Sequence, residues 1–80
     1  MFRRPAQRPK VGVASRVRQY REKRGLTQQE LAQRSGVSRQ SVISIEKGRY
    51  VPSLVLALKL SEIFECTTDD LFWLEEIANG

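Results

Sequence analysis

Between Leu26 and Val42 this sequence writes the same helix-start signal twice, with almost nothing in between. Thr27-Gln28-Gln29-Glu30 is a capping box: the Thr27 hydroxyl can accept from the Glu30 amide while the Glu30 carboxylate reaches back to the Thr27 amide. Leu26 and Leu31 flank it at the positions of a hydrophobic staple. Ser38 is a second N-cap, and Val37 and Val42 are its staple. The spacing predicts helices over about 28–35 and 39–47, stopped by Gly36 and Gly48. Only Gly36 and Val37 separate the first helix from the Ser38 cap, and two short helices joined so tightly form a helix-turn-helix unit.

The flanks are read by the same rules. Val13, Val17 and Tyr20 recur at helical spacing, so a first helix is expected from Ser15, closed by Arg24 and Gly25. Pro52-Ser53 opens a fourth helix over about 54–64. Its start, Leu54-Val55-Leu56-Ala57-Leu58, is apolar all round, which implies burial on more than one side. Thr67-Thr68-Asp69-Asp70 caps a short fifth helix carrying Leu71, Phe72 and Trp73, although residues 72–77 could instead pair as a strand across a two-fold axis. Residues 1–13, with Pro5, Pro9, Gly12 and four bases, read as a flexible basic arm. The expected fold is all-α, a compact five-helix domain over 14–74 followed by a short acidic tail over 75–80.

Composition narrows the function. Eighty residues make one domain with a modest core. No apolar run approaches the roughly 20 residues of a membrane helix, and no apolar stretch follows the early arginines as in a secretory signal. Without histidine there is no Ser-His or Cys-His nucleophile pair and no imidazole metal ligand. The single cysteine, Cys66, reads as a small packed hydrophobe. Asp69 and Asp70 suit a helix start, and Glu75 and Glu76 a solvated tail. The expectation is therefore a cytoplasmic binding module: no enzyme, no metal, no cofactor, no membrane and no small-molecule ligand.

The net charge of +5 is unevenly spread. Residues 1–14 hold four bases and no acid, and residues 15–50 set nine bases against three acids. Residues 51–80 set Lys59 against six acids. A basic front and an acidic back suit a polyanion on one side. The 39–47 helix sharpens this. Val42 and Ile45 share one face with Glu46 beside them, while Arg39, Gln40, Ile43, Ser44 and Lys47 fall on the other. That outer stripe has no acid, and Arg and Gln there match the donor-acceptor patterns of guanine and adenine in the major groove. Arg39 and Gln40 stand in the first turn, where a recognition helix usually touches bases. Ile43 can meet a thymine methyl.

The string VRQYREKRGLTQQELAQRSGVSRQSVISIEKGRYVPSLVLALKLSEIF, residues 17–64, resembles the Cro/phage-repressor (XRE) type of helix-turn-helix, above all its small stand-alone regulators without a ligand domain. Arg21, Gly25-Leu26-Thr27-Gln28, Glu30-Leu31-Ala32, Gly36-Val37-Ser38, Ile45-Glu46, Gly48 and Pro52-Ser53 carry the likeness, in order and without insertions. The resemblance implies a homodimer that binds a double-stranded operator with the third helix in the major groove; the expected function is regulation at a pseudopalindromic operator, more readily repression than activation because the chain has little room for an activating surface. By position it makes Arg39, Gln40 and Ser44 base readers, with Ile43 beside them. It puts Gln28, Gly48 and Arg49 on the DNA backbone and pairs Arg21 with Glu46, and Ser38, Ser41 and Lys47 are expected on phosphates beside them. Tyr20, Val55 and Glu65 depart from the family pattern, which usually has Leu, a polar residue and Gly there. Val55 with Phe72, Trp73 and Leu74 is the expected dimer interface, since one short helix cannot bury so many apolar groups alone. The rival reading is an antitoxin-type interaction module whose main partner is a toxin covering the acidic C-terminal face.

Overall fold

The computed structural model describes residues 10–77. In chain order these form β1 (Lys10–Ser15), α1 (Val17–Lys23), α2 (Gln28–Ser35), α3 (Arg39–Glu46), α4 (Leu54–Phe64), α5 (Thr68–Leu71) and β2 (Phe72–Ile77). The fold is thus mostly helical, with five helices and a small sheet, and is not all-α.

The start signals act as their chemistry dictates. Thr27 Oγ1 accepts from the Glu30 amide at 3.0 Å, and Glu30 accepts from the Thr27 amide at 2.8 Å. Ser38 and Ser53 each accept an amide of the first turn of their helices. Asp70 and Thr67 form a second reciprocal box at the start of α5. In both boxes these backbone and hydroxyl bonds favour the ionised carboxyl, so Glu30 and Asp70 are held below their ordinary pKa values. A depressed folded pKa adds stability above the unfolded value and loses it as the pH falls through the folded one. Stability is therefore expected to decline below about pH 4, near the unfolded values of Asp and Glu, and Thr27→Val should flatten that decline in urea melts taken from pH 6 to 3.

Leu31 and Ala32 of α2, Val42 and Ile45 of α3, and Leu56, Leu60 and Phe64 of α4 meet Val17 and Leu71 in one core. Leu26 and Val37 pack against it as the two staples. Gly36 closes α2 at φ 75°, a left-handed conformation in which a Cβ is strained, and so turns the chain directly into the Ser38 cap. The position after α4 is also left-handed, at φ 54°, yet holds Glu65. Arg24 supports that turn by donating to the Phe64 carbonyl at 2.9 Å. Relieving a left-handed non-glycine residue is expected to raise stability by about 0.5–1 kcal/mol in Glu65→Gly, read from chemical denaturation; its 3.4 Å contact with Arg24 is exposed and contributes little.

Three expectations need correction. First, residues 10–15 are a strand, paired antiparallel with β2 in the register Lys10 with Ile77 to Ser15 with Phe72. The part of the basic arm from residue 10 onward is therefore ordered by a ladder, while residues 1–9 lie outside the described residues. Val13 belongs to this strand, and α1 starts at Val17, whose amide donates to Ser15 Oγ at 3.0 Å. Second, Phe72 and Trp73 are in β2 and not in the fifth helix, and residues 75–77 continue that strand. Strand 72–77 pairs with β1 of its own chain. Third, the start of α4 is buried on one side only, since Leu54, Val55 and Leu58 are exposed.

Candidate nucleic-acid interface

The α3 helix presents one face to the core through Val42 and Ile45, which fixes what its opposite face shows. Arg39 and Gln40 are exposed in its first turn; Ile43 and Ser44 are half-buried. Ser38 Oγ accepts from the Ser41 amide at 3.0 Å and lies 3.0 Å from Ser41 Oγ. Whichever hydroxyl donates to the other, one O–H of the pair stays free for an outside acceptor.

The far end of α3 closes in a Schellman motif. The Arg49 amide donates to the Ser44 carbonyl at 2.9 Å and the Gly48 amide to the Ile45 carbonyl at 3.0 Å. Gly48, at φ 71°, is the left-handed residue this geometry requires. Its Cα side faces the Val13 carbonyl of β1, which would lie 3.7 Å from an added Cβ. Lys47, Gly48 and Arg49 are all exposed.

Behind this surface Arg21 donates to Glu46 twice, from Nε at 2.6 Å and Nη2 at 3.2 Å. The side chains are 12% and 5% exposed. Arg21 Nη1 also donates to the Leu26 carbonyl at 2.9 Å, so the guanidinium joins α1, the α1–α2 turn and α3. These bonds hold the Arg21 pKa above its already high ordinary value. Gln28 Nε2 donates to the second oxygen of Glu46 at 3.1 Å, bringing the start of α2 into the same network. Arg21, Gln28, Ile43, Glu46 and Lys47 line one cleft of about 450 Å³ with Arg18 and Thr27.

The expected dimer residues are split. Val55 and Leu74 are 64% and 75% exposed. Phe72 is half-buried against the core of its own chain. Trp73 is 39% exposed and carries the Arg16 guanidinium 4.4 Å from its ring centroid, a cation–π contact. Cys66 packs half-buried on the core, and burial pushes its thiol pKa up, which keeps it protonated. Tyr20, the departure in α1, sets its ring 5.7 Å from that of Phe64.

Sequence reasoning missed Arg18 in the cleft; its outward position on α1 was the available signal. It also missed Leu54 and Leu58 as surface residues, because an all-apolar run does not say which of its sides the fold covers.

The helix-turn-helix family model matches residues 17–71 of the chain. The chain is 48% identical over 64 residues to an uncharacterised HTH-type transcriptional regulator, YgzD, of Bacillus subtilis, covering 80% of this chain and 97% of that protein. The restriction-modification controller protein C.AhdI of Aeromonas hydrophila superposes with a TM-score of 0.64 at 36% identity, over 69% of this chain and 83% of the other. The transcriptional regulator VanUg shares the fold at a TM-score of 0.70 and 19% identity, over 95% of this chain and 100% of that one.

The fold and its cap-turn-cap centre define a DNA-binding helix-turn-helix protein. More particularly, the chain belongs to the Cro/phage-repressor (XRE) type of transcriptional regulators. Among the described residues no helix is long and apolar enough to cross a membrane.

Proposed function

We propose that α2 and α3 are the helix-turn-helix proper and that α3 enters the major groove of a pseudopalindromic operator, one α3 from each half of a homodimer. The observation that carries this reading is the pairing of an exposed Arg39 and Gln40 in the first turn of α3 with a buried opposite face. Arg39 donates to a guanine and Gln40 pairs with an adenine; Ser44 and Ile43 read from the next turn. Gln28 spends one amide hydrogen on Glu46 and offers the other to a phosphate at the start of α2, where the helix N-terminus also favours an anion. The free hydroxyl of the Ser38–Ser41 pair, Lys47, and Gly48 with Arg49 take further phosphates. Val55 and Leu74 belong to the dimer contact, while Phe72 serves its own core.

Such a dimer regulates by occupying its site, and repression follows from blocking polymerase. The antitoxin reading has no observation in its favour: the residues meant to meet a toxin pair in part with β1 of the same chain.

Titration of a selected operator and a random duplex across salt tests the proposal. Specific binding should exceed non-specific binding by at least about a thousandfold. Arg49→Ala should weaken both alike and reduce the slope of log K against log salt by about 1. Equal affinity of the wild type for both duplexes contradicts it.

A further inference from the structure

The cleft beside α3 carries positive charge that the fold itself does not use. Within its lining Arg21 and Glu46 neutralise each other through two hydrogen bonds, and Gln28 donates to the same carboxylate. Two cations remain, Arg18 from α1 and Lys47 at the end of α3. Among the described residues Lys47 makes no ion pair. Arg18 pairs with Glu22 alone, Nε to Oε2 at 3.3 Å. The two side chains of that pair are 67% and 55% exposed and stand one turn apart on α1. An exposed pair of this kind is screened by water and salt and adds little to folding.

Arg18 stands three residues before Arg21, hence on the side of α1 that meets α3. The two cations thus reach one cleft from different elements, and Gln28 brings in the start of α2. Ile43, from the outer stripe of α3, belongs to the same lining. The cleft therefore continues the face that carries Arg39 and Gln40, and an anion in it lies beside a duplex whose major groove holds α3. The chemistry suits one phosphodiester. A guanidinium takes two of its oxygens as a fork, and an ammonium meets it as a point charge. Glu22 is the competing carboxylate, and its hold is weak because water reaches both side chains.

We infer that Arg18 is a DNA-backbone contact made from the first helix, which leaves Glu22 to close on one phosphate together with Lys47 and Gln28. This deepens the reading of α3 as the groove-bound helix and rests on it. Glu22 is a positioning residue: it parks the guanidinium at the cleft in the free protein and yields it to the phosphate on DNA. Phosphate contacts carry no sequence but fix register. One phosphate held from α1, α2 and α3 at once ties the three helices to a single point on the strand, and so sets where Arg39 and Gln40 meet the bases.

Fluorescence anisotropy on a duplex of fixed random sequence, read from 50 to 200 mM salt, tests it, with every substituted site exposed. Arg18→Gln should weaken binding and reduce the slope of log K against log salt by about 1, so that its deficit shrinks about three- to fourfold across that range. Lys23→Gln removes the same charge from the same helix, but Lys23 lines a different groove with Arg16 and Tyr20, and the slope should stay that of wild type. Glu22→Gln should tighten binding by about two- to fivefold and lose most of that gain in the Arg18→Gln background. On an operator selected from random duplexes, an uncharged methylphosphonate at one position in each half should weaken wild type and leave Arg18→Gln unmoved. An Arg18→Gln slope equal to wild type, or one lowered equally by Lys23→Gln, overturns the contact and leaves the DNA reading standing. So does a Glu22→Gln gain that is the same with and without Arg18. A wild type that binds no duplex overturns both.

Discussion

Glu46→Ala is expected to lower folding stability by about 3–5 kcal/mol, because it strands a mostly buried arginine. Arg21 keeps only the Leu26 carbonyl as acceptor once both bonds to Glu46 are gone, and Gln28 loses its anchor as well. A chain of this length has a total stability of roughly 4–12 kcal/mol, so the loss is a large share of it. For so small a domain the melting temperature should fall by more than about 10 °C. The pair itself contributes less than its rupture costs, since both ions were desolvated to form it. Arg21→Met combined with Glu46→Leu should therefore recover most of the stability. Urea unfolding of the three proteins separates the cases: a single-variant loss below about 1 kcal/mol means the network does not hold α1 to α3.

Arg39→Ala and Gln40→Ala should each cost about 1–3 kcal/mol on the operator and little on random duplex, because bidentate base contacts carry discrimination. The double variant should lose about 2–6 kcal/mol on the operator if the two bases are read independently. Both side chains are exposed and make no hydrogen bond within the described part of the chain, so stability should stay within about 0.5 kcal/mol of wild type. Fluorescence anisotropy on both duplexes reads this out. Equal losses on operator and random DNA would mean that α3 holds phosphate and does not read sequence.

The helical centre was legible because its signals are local. A capping box, a staple and a stop glycine act within six residues, so α2 at Gln28–Ser35 has the bounds that the sequence implies, and α4 starts at Leu54 behind its Ser53 cap as expected. The sheet was not. Val13 and Leu74 are partners across some sixty residues of chain, and neither strand shows its mate in its own pattern. Val13 also stands four residues before Val17, and that coincidence of helical spacing hid the alternation of Val11 and Val13 with Gly12 and Ala14. The exposure of Leu54 and Val55 was hidden for a related reason: apolarity says that a face seeks cover, not that its own chain supplies it. In the candidate site, side-chain type and position in the first turn pointed to Arg39 and Gln40. The bond from Gln28 to Glu46 was out of reach, because it depends on how α2 and α3 cross.

The most direct test of the central claim is binding selection by the purified protein from a pool of random duplexes. One enriched sequence is expected, with two-fold related half-sites centred about 10 base pairs apart, in which Gln40→Ala relaxes the same position in both halves. Enrichment of no sequence, or of one that Arg39→Ala and Gln40→Ala leave unchanged at every position, contradicts it.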